Sequence, residues 1–391
     1  MPVSSRMAKS VSIAWLVLAQ HVCDAGAQNV PRPHVQAAAP REWTVDAKPR
    51  LRIAMNADVD FAALISLSVL PDDGIVLASD LRNNIQFFDS RGRLTKTVGR
   101  NGQGPGEFEG VDHFFRFGDT LALIDMNDAT HRFTLDGQFV RSSRVATTAE
   151  QVHGFFANGD LVVGVKRLEQ IPEGRWQQAT EELVRITATS RVALGRFPTQ
   201  EFTRLPGGKL KGNVYSPRNR VAVLRSQFCA GFAGSSTFGC YDGSGRLLWT
   251  RALTNTSPVA VTNADKEAYF NDIYTVNVGS PRKMLDDQVR WARASATFAK
   301  SLGVYGPLLA ARDNALWIGP PSTDDWRRNN PNPLPERSTR WRVYSIAGEL
   351  LANVTLPPRF YLLEAGADYV AGVTKDDDDL EVVLVYSLRK Q

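Results

Sequence analysis

Cysteine, histidine and methionine are all scarce: the 391 residues hold three Cys, five His and five Met. There is no Cys-x-x-Cys pair and no Cys/His cluster at zinc-ligand spacing, which excludes zinc-finger and dithiol redox folds. There is also no Gly-x-Ser-x-Gly elbow, no His-Glu-x-x-His helix and no nucleotide-binding glycine fingerprint. Beyond the first 27 residues the longest apolar run is FAALISLSVL (61–70), far short of the roughly 20 residues of a membrane-spanning helix. Lys and Arg outnumber Asp and Glu by 46 to 41. They stand mostly singly, without the aromatic-interleaved stripe of a nucleic-acid groove, so nucleic acid is not an expected partner. The net charge of +5 reads as solubility with a mild preference for anionic partners.

The N-terminus reads as an export signal. Arg6 and Lys9 precede an apolar core from Val11 to Ala19, too short to span a bilayer, and Ala25-Gly26-Ala27 offers a small-x-small cleavage site before Gln28. Gln20-His21-Val22 before Cys23 does not form a lipobox. The expectation is a Sec signal peptide over 1–27, cleaved near Ala27, a Pro/Ala-rich flexible mature N-terminus over 28–42, and a periplasmic or extracellular location. Removing Cys23 leaves Cys229 and Cys240, which lie on the two arms of an expected hairpin. In an oxidising compartment they suit a cross-strand disulfide; the alternative is two half-buried thiols on neighbouring strands.

From residue 43 to the end, one phrase returns six times: a short hydrophobic strand, a break, then a strand ending in a turn before glycine. The clearest copy is GIVLASD (74–80), NIQFFDSRGRL (84–94) and TKTVGRNGQGPGEF (95–108). Second strands align near Ile75, Leu121, Leu161, Val221, Leu316 and Tyr369. The segments FFDSRGRL, FTLDGQF, YDGSGRL and YSIAGEL read as hairpins between third and fourth strands. Several short strands per unit at this period predict an all-β fold, a six-bladed β-propeller with a helical insertion at about 252–306. The last unit lacks a fourth strand while TVDAKPRLRIA (44–54) is a spare one. The early strand is expected to close the ring.

The stretch NNIQFFDSRGRLTKTVGRNGQGPGEFEG resembles an NHL-type repeat through Val98, Gly99, Gly102, Gly104, Pro105, Gly106, Glu107 and Phe108. The chain as a whole resembles secreted bacterial six-bladed propellers of that superfamily. The match is specific in unit one, recognisable in units two, four and five, and faint in three and six. The resemblance implies the fold; relatives include protein-binding scaffolds, lactonases and lyases acting on peptide ends, so it does not select an activity. The glycines are read as permitting positive φ between blades, since no Gly-Lys-Ser/Thr ending makes a phosphate loop.

Long segments at 165–182, 197–218, 226–236, 252–306 and 320–340 all map to the face carrying second-to-third and fourth-to-first connections. Binding sites concentrate on loops held by a rigid scaffold. Within the largest segment, Ser280, Pro281 and Gly303 bracket a helix with Leu285, Val289, Ala292, Ala296, Ala299 and Leu302 on one stripe, and a shorter helix is expected at Asp265–Asn271. The helix is expected to dock on the rim beside unit five. Arg290, Trp291, Trp326, Arg327 and Arg328 are the candidate ligand-binding residues, for a protein or a small anionic or carbohydrate ligand.

The channel offers an enzyme-like alternative. His113 and His153 fall at equivalent first-strand positions, with Leu67, Asn213, Leu308 and Tyr361 in the other units. Two imidazoles facing one another could hold a divalent metal for a hydrolase or lyase; hydrogen bonds to neighbouring groups would make them structural. Asp376-Asp377-Asp378-Asp379 lacks the spacing of a calcium loop and reads as a solvated turn. The expected function is non-catalytic binding through the loop-rich face, by a monomer with no cofactor. A structural envelope or assembly component is the further alternative.

Overall fold

The computed structural model describes residues 40–56, 59–61, 64–79, 83–144, 151–169, 172–276, 280–321, 339–378 and 380–390. The chain enters through β1 (Arg41–Val45) and β2 (Leu51–Ala54), and then builds blade after blade. Blade one is β3 (Leu64–Val69), β4 (Ile75–Ser79), β5 (Asn84–Phe88) and β6 (Leu94–Val98). Blade two is β7 (His113–Phe117), β8 (Thr120–Ile124), β9 (Ala129–Thr134) and β10 (Phe139–Arg144). Blade three is β11 (Gln151–Phe155), β12 (Leu161–Arg167), β13 (Trp176–Ile186) and β14 (Arg191–Arg204), with β15 (Leu210–Gly212) added to β14. Blade four is β16 (Asn219–Val223), β17 (Gln227–Phe232), β18 (Thr237–Asp242) and β19 (Leu247–Ala252). Two helices follow, α1 (Asn263–Val276) and α2 (Arg282–Ser295). Blade five is β20 (Leu308–Ala310), β21 (Leu316–Ile318), β22 (Arg340–Tyr344) and β23 (Leu350–Thr355); blade six contributes β24 (Tyr361–Ala365), β25 (Tyr369–Lys375) and β26 (Glu381–Arg389).

Each blade grades from a buried interior to an exposed rim, and the sequence dictates the gradient. Second strands such as IVLAS in β4 and LVVGV in β12 are buried at every position, because neighbouring blades cover both faces of the sheet. Fourth strands such as LTKTV in β6 and FVRSSR in β10 are almost wholly exposed. The first strands touch one another around a ring from β3 through β7, β11, β16, β20 and β24 back to β3. Gly99, Gly102 and Gly106 take φ of 93°, 152° and 77°, as the crossing between blades requires.

Ring closure follows the expected route. β2 pairs antiparallel with β26, Leu51 opposite Val385 and Ile53 opposite Val383, and completes blade six. Thr44 and Val45 of β1 pair with Arg389 and Leu388 of blade six, within the expected segment, while Arg41–Trp43 add a tie not foreseen by running parallel to β23 of blade five. Arg41 and Glu42, placed in the flexible N-terminus by the sequence, therefore lie in a strand.

Two expectations on the strands are corrected. Val221 lies in the first strand of blade four, not the second, and Gln227–Phe232 is the second strand rather than part of a loop. Asn213 accordingly falls outside the first strands. The reason is local: RVAVL and QFCAGF are both hydrophobic and only Leu224–Ser226 separate them, so periodicity cannot tell which is inner. About half of each of the segments 165–182 and 197–218 is strand, because β13 and β14 extend past the ordinary blade edge, Trp176 pairing with Thr203. Cys229 and Cys240 sit directly opposite each other on β17 and β18, with Cα atoms 4.0 Å apart, and form a disulfide buried in the blade.

Candidate functional site

The helical insertion leaves β19 and returns to β20, so it emerges where fourth strands lead into first strands. Thr262 caps α1: its Oγ1 accepts from Asp265 N at 3.2 Å, and Asp265 Oδ2 accepts from Thr262 N at 2.7 Å, a reciprocal capping arrangement. α2 starts after Pro281 and stops at Ser295, eight residues short of Gly303. Residues beyond it bridge elsewhere, Phe298 with Val214 and Ser301 with Ala260. The stripe Leu285, Val289 and Ala292 is buried as expected. Its docking site differs: Val289 and Ala292 cluster with Phe270 of α1 and with Phe298. Beside this core the insertion meets the chain that follows the extended β14–β15 hairpin, Thr297 Oγ1 donating to Asn213 Oδ1 at 2.8 Å and the Tyr215 hydroxyl to Asp265 O at 2.9 Å. The long hairpin of blade three, legible in sequence only as loops, thus leads into the surface that captures the helix.

Trp291 stands on the outer side of α2, 55% exposed. Lys211 of β15 places Nζ 4.3 Å from its ring centre, and Lys209 lies at 5.4 Å. Lys211 Nζ also donates to Ser295 Oγ at 2.8 Å. Burial, then the neighbouring Lys209 charge, pulls the Lys211 ammonium below its ordinary pKa. Pro281, Lys283, Met284, Asp287, Gln288 and Trp291 border an open surface depression. Arg290 turns to Asp287, Nη1 to Oδ1 3.1 Å, and both remain well exposed. Trp326, Arg327 and Arg328 lie outside the described residues.

In the channel, the two histidines are engaged separately with carboxylates. His153 Nε2 lies 2.8 Å from Glu181 Oε1, and Glu181 Oε2 accepts from Asn219 Nδ2 at 2.9 Å, so one buried carboxylate joins blade three to blade four. Burial would push the Glu181 carboxyl up, but the hydrogen bond and charge of His153, with the Asn219 amide, outweigh it and hold the pKa below the usual value. Gly164 makes room for this bridge: a Cβ there would overlap Glu181 Oε1 and lie 2.9 Å from His153 Nε2. His113 Nδ1 lies 2.9 Å from Asp112 Oδ2 but off hydrogen-bond geometry, and its ring stacks on Phe115. Among the described residues no group of three or more His, Cys, Asp or Glu is placed to hold a metal ion. Asp376 Oδ1 caps its own turn, accepting from Asp378 N and Leu380 N at 3.1 and 2.9 Å.

Sequence reading missed a third buried histidine and a channel network. His131 on β9 places Nδ1 2.8 Å from Ser142 Oγ and Nε2 3.0 Å from Asp125 Oδ2, tying the three outer strands of blade two together. At the channel end carrying the first-to-second turns, Arg312 Nε donates to Glu364 Oε2 at 2.6 Å and Nη1 donates to Arg116 O at 2.6 Å. Glu364 Oε1 also accepts from Val69 N at 2.9 Å and from the Tyr369 hydroxyl at 2.6 Å. Burial and the neighbouring Glu364 push the Tyr369 phenol far above its ordinary pKa. Apart from Tyr369, five residues from Glu364, these partners are 52 to 295 residues apart in sequence, beyond the reach of any local pattern.

A family model described as a 6-bladed beta-propeller matches residues 62–159, about a quarter of the chain. No curated protein matches the sequence. Among solved structures the chain is similar to a member of the duf4221 family from Bacteroides vulgatus, at 10% identity over 90% of this chain and 100% of that one, TM-score 0.45. It is also similar to virginiamycin B lyase from Staphylococcus aureus, at 8% identity over 86% and 98% of the two chains, TM-score 0.38. A further likeness is to BamB from Moraxella catarrhalis, at 9% identity over 80% and 81%, TM-score 0.32. The sheet topology and the family model agree that this chain is a six-bladed β-propeller.

Proposed function

We propose that the protein is an exported, NHL-like propeller that binds a partner through the face bearing its helical insertion, and that it does so as a non-catalytic monomer. The observation that carries this reading is Trp291, more than half exposed on a docked helix and set beside Lys209 and Lys211. A large ring held by a rigid element beside two ammonium groups that form no ion pair among the described residues suits an acidic protein or carbohydrate. Export is supported by the signal-like N-terminus and by the Cys229–Cys240 bridge, a bond of oxidising compartments. No helix of the described residues is long and apolar enough to cross a membrane. The buried hydrogen bond between His153 and Glu181 favours a structural role for His153 over metal chemistry in the channel.

The test expresses the full chain in its own compartment with a photo-crosslinking residue at 291 or, as control, at Ser244 in the turn between β18 and β19 on the other face. Adducts from 291 and none from 244 support the reading. Adducts from 244 alone, or a mature N-terminus still beginning at Met1, count against it.

A further inference from the structure

The opposite end of the channel holds a feature that neither the helical insertion nor the ring closure explains. Residues from all six first strands and their following turns enclose a cavity of about 540 Å³, within the size range of small-molecule sites. Each first strand is the end strand of its blade, so its outer edge of backbone N–H and C=O groups faces the channel without a neighbouring strand. Phe115 and Phe155 meet edge to face at 5.7 Å, and Phe117 stacks on Phe155 at 4.8 Å, giving one wall an aromatic surface.

The charge on the lining is unbalanced. Arg116, Arg225 and Arg312 line the cavity against a single carboxylate, Glu364. Glu364 is committed: beyond its bond from Arg312 Nε it accepts from Ser68 Oγ at 3.0 Å, Val69 N and Tyr369. Arg116 is half-buried and its recorded partners are neutral carbonyls, Val69 O at 2.6 Å and Gly118 O at 3.4 Å. Among the described residues it makes no ion pair. Its pKa is lowered, first by burial and then by the Arg312 charge, while Glu364, Tyr369 and Asp119 oppose the effect. Arg225 stands exposed at the rim, its backbone N–H donating to Asn314 Oδ1 at 3.2 Å. Desolvating a cation is costly, and for this half-buried guanidinium a bound anion would offset part of that cost.

We propose that the turn-side end of the channel binds a small hydroxylated organic carboxylate, such as a sugar acid, with the carboxylate on Arg116. A guanidinium fork suits a carboxylate or a phosphate equally. The organic body is assigned by the aromatic wall and by the open strand edges, which donate to and accept from hydroxyl groups. The site is independent of the Trp291 surface, since the insertion joins the opposite ends of the first strands.

Calorimetric titration of the mature protein with D-glucuronate, D-glucose and inorganic phosphate tests the assignment. Glucuronate is expected to bind saturably at one site per chain, weakened by added salt, while glucose gives no saturable heat. R116Q is expected to weaken binding about tenfold, R225Q by a smaller factor because it is exposed, and V140A, on the exposed outer strand of blade two, not at all. Circular dichroism checks the fold of each variant. Should R116Q fail to fold, R116K, which keeps the charge but loses the fork, must fall between wild type and no binding. The proposal is overturned if glucuronate binds no better than glucose, if phosphate competes equally well, or if neither arginine variant changes the affinity.

Discussion

Replacing Ile53 with alanine probes how the ring is closed. Ile53 is 3% exposed on β2, and its side chain joins Leu51, Phe88, Val383 and Val385 in the core between blades six and one. Truncating a buried isoleucine costs about 2–5 kcal/mol, and a site walled by two blades cannot collapse freely, so about 3 kcal/mol is expected. The closed unit runs from Pro40 to Gln391. At roughly 2.1 cal/mol/K per residue, the unfolding entropy is about 0.7 kcal/mol/K, and the melting temperature falls by about 4 °C. Differential scanning calorimetry of the mature protein measures this directly. Val140→Ala, at a 55% exposed position of β10, is the control and is expected to stay within about 0.5 kcal/mol of wild type. An Ile53→Ala shift no larger than that of Val140→Ala would refute the closure of blade six by β2.

Other expectations follow from single groups. Intact mass with and without reductant should show Cys229 and Cys240 protected from alkylation before reduction; their loop is short, so losing the bridge costs near the lower end of about 2–4 kcal/mol. Glu181 has a depressed pKa in the fold, so its contribution is present above its unfolded pKa and is lost as pH falls through the folded one. Chemical denaturation should therefore find Glu181→Gln least stable relative to wild type at neutral pH, the gap closing below about pH 4.5. Glu381 is the reverse: burial raises its pKa, and its contribution is lost as pH rises. Glu381→Gln, which keeps an acceptor for Leu64 N, is expected to be at least as stable as wild type at neutral pH and not at pH 4. Arg312→Ala strands the buried Glu364 and is expected to cost about 3–5 kcal/mol, whereas Glu364→Gln in the same melting assay costs less.

What the sequence disclosed and what it hid follow a physical division. The count of blades, the short outer turns and the closing strand were legible, because each rests on runs of a few residues whose periodicity is local. The misplacement of Val221 came from two hydrophobic strands separated by a three-residue turn. The extended hairpin of blade three was taken for loops because the stretch WQQATEE is polar on most of its length, although Ala179 and Glu181 within it are buried. On the helix, the apolar stripe was correct but its docking surface was not: Asn213, Val214 and Tyr215 sit in a segment with no pattern of its own. The channel was hardest. His113 and His153 align by spacing in the sequence, but the partner that fixes His153 is Glu181, which in turn meets Asn219, 38 residues further on. The arginine end of the channel rests on pairs up to 296 residues apart.

Metal analysis of the purified mature protein tests the central claim, binding without metal-dependent catalysis, most directly. The predicted result is no zinc, calcium or iron at a stoichiometric level in wild type, and unchanged metal content in His113→Ala and His153→Ala. One equivalent of any of these metals in wild type, lost in His113→Ala or His153→Ala, would contradict it and return the channel histidines to the centre of the function.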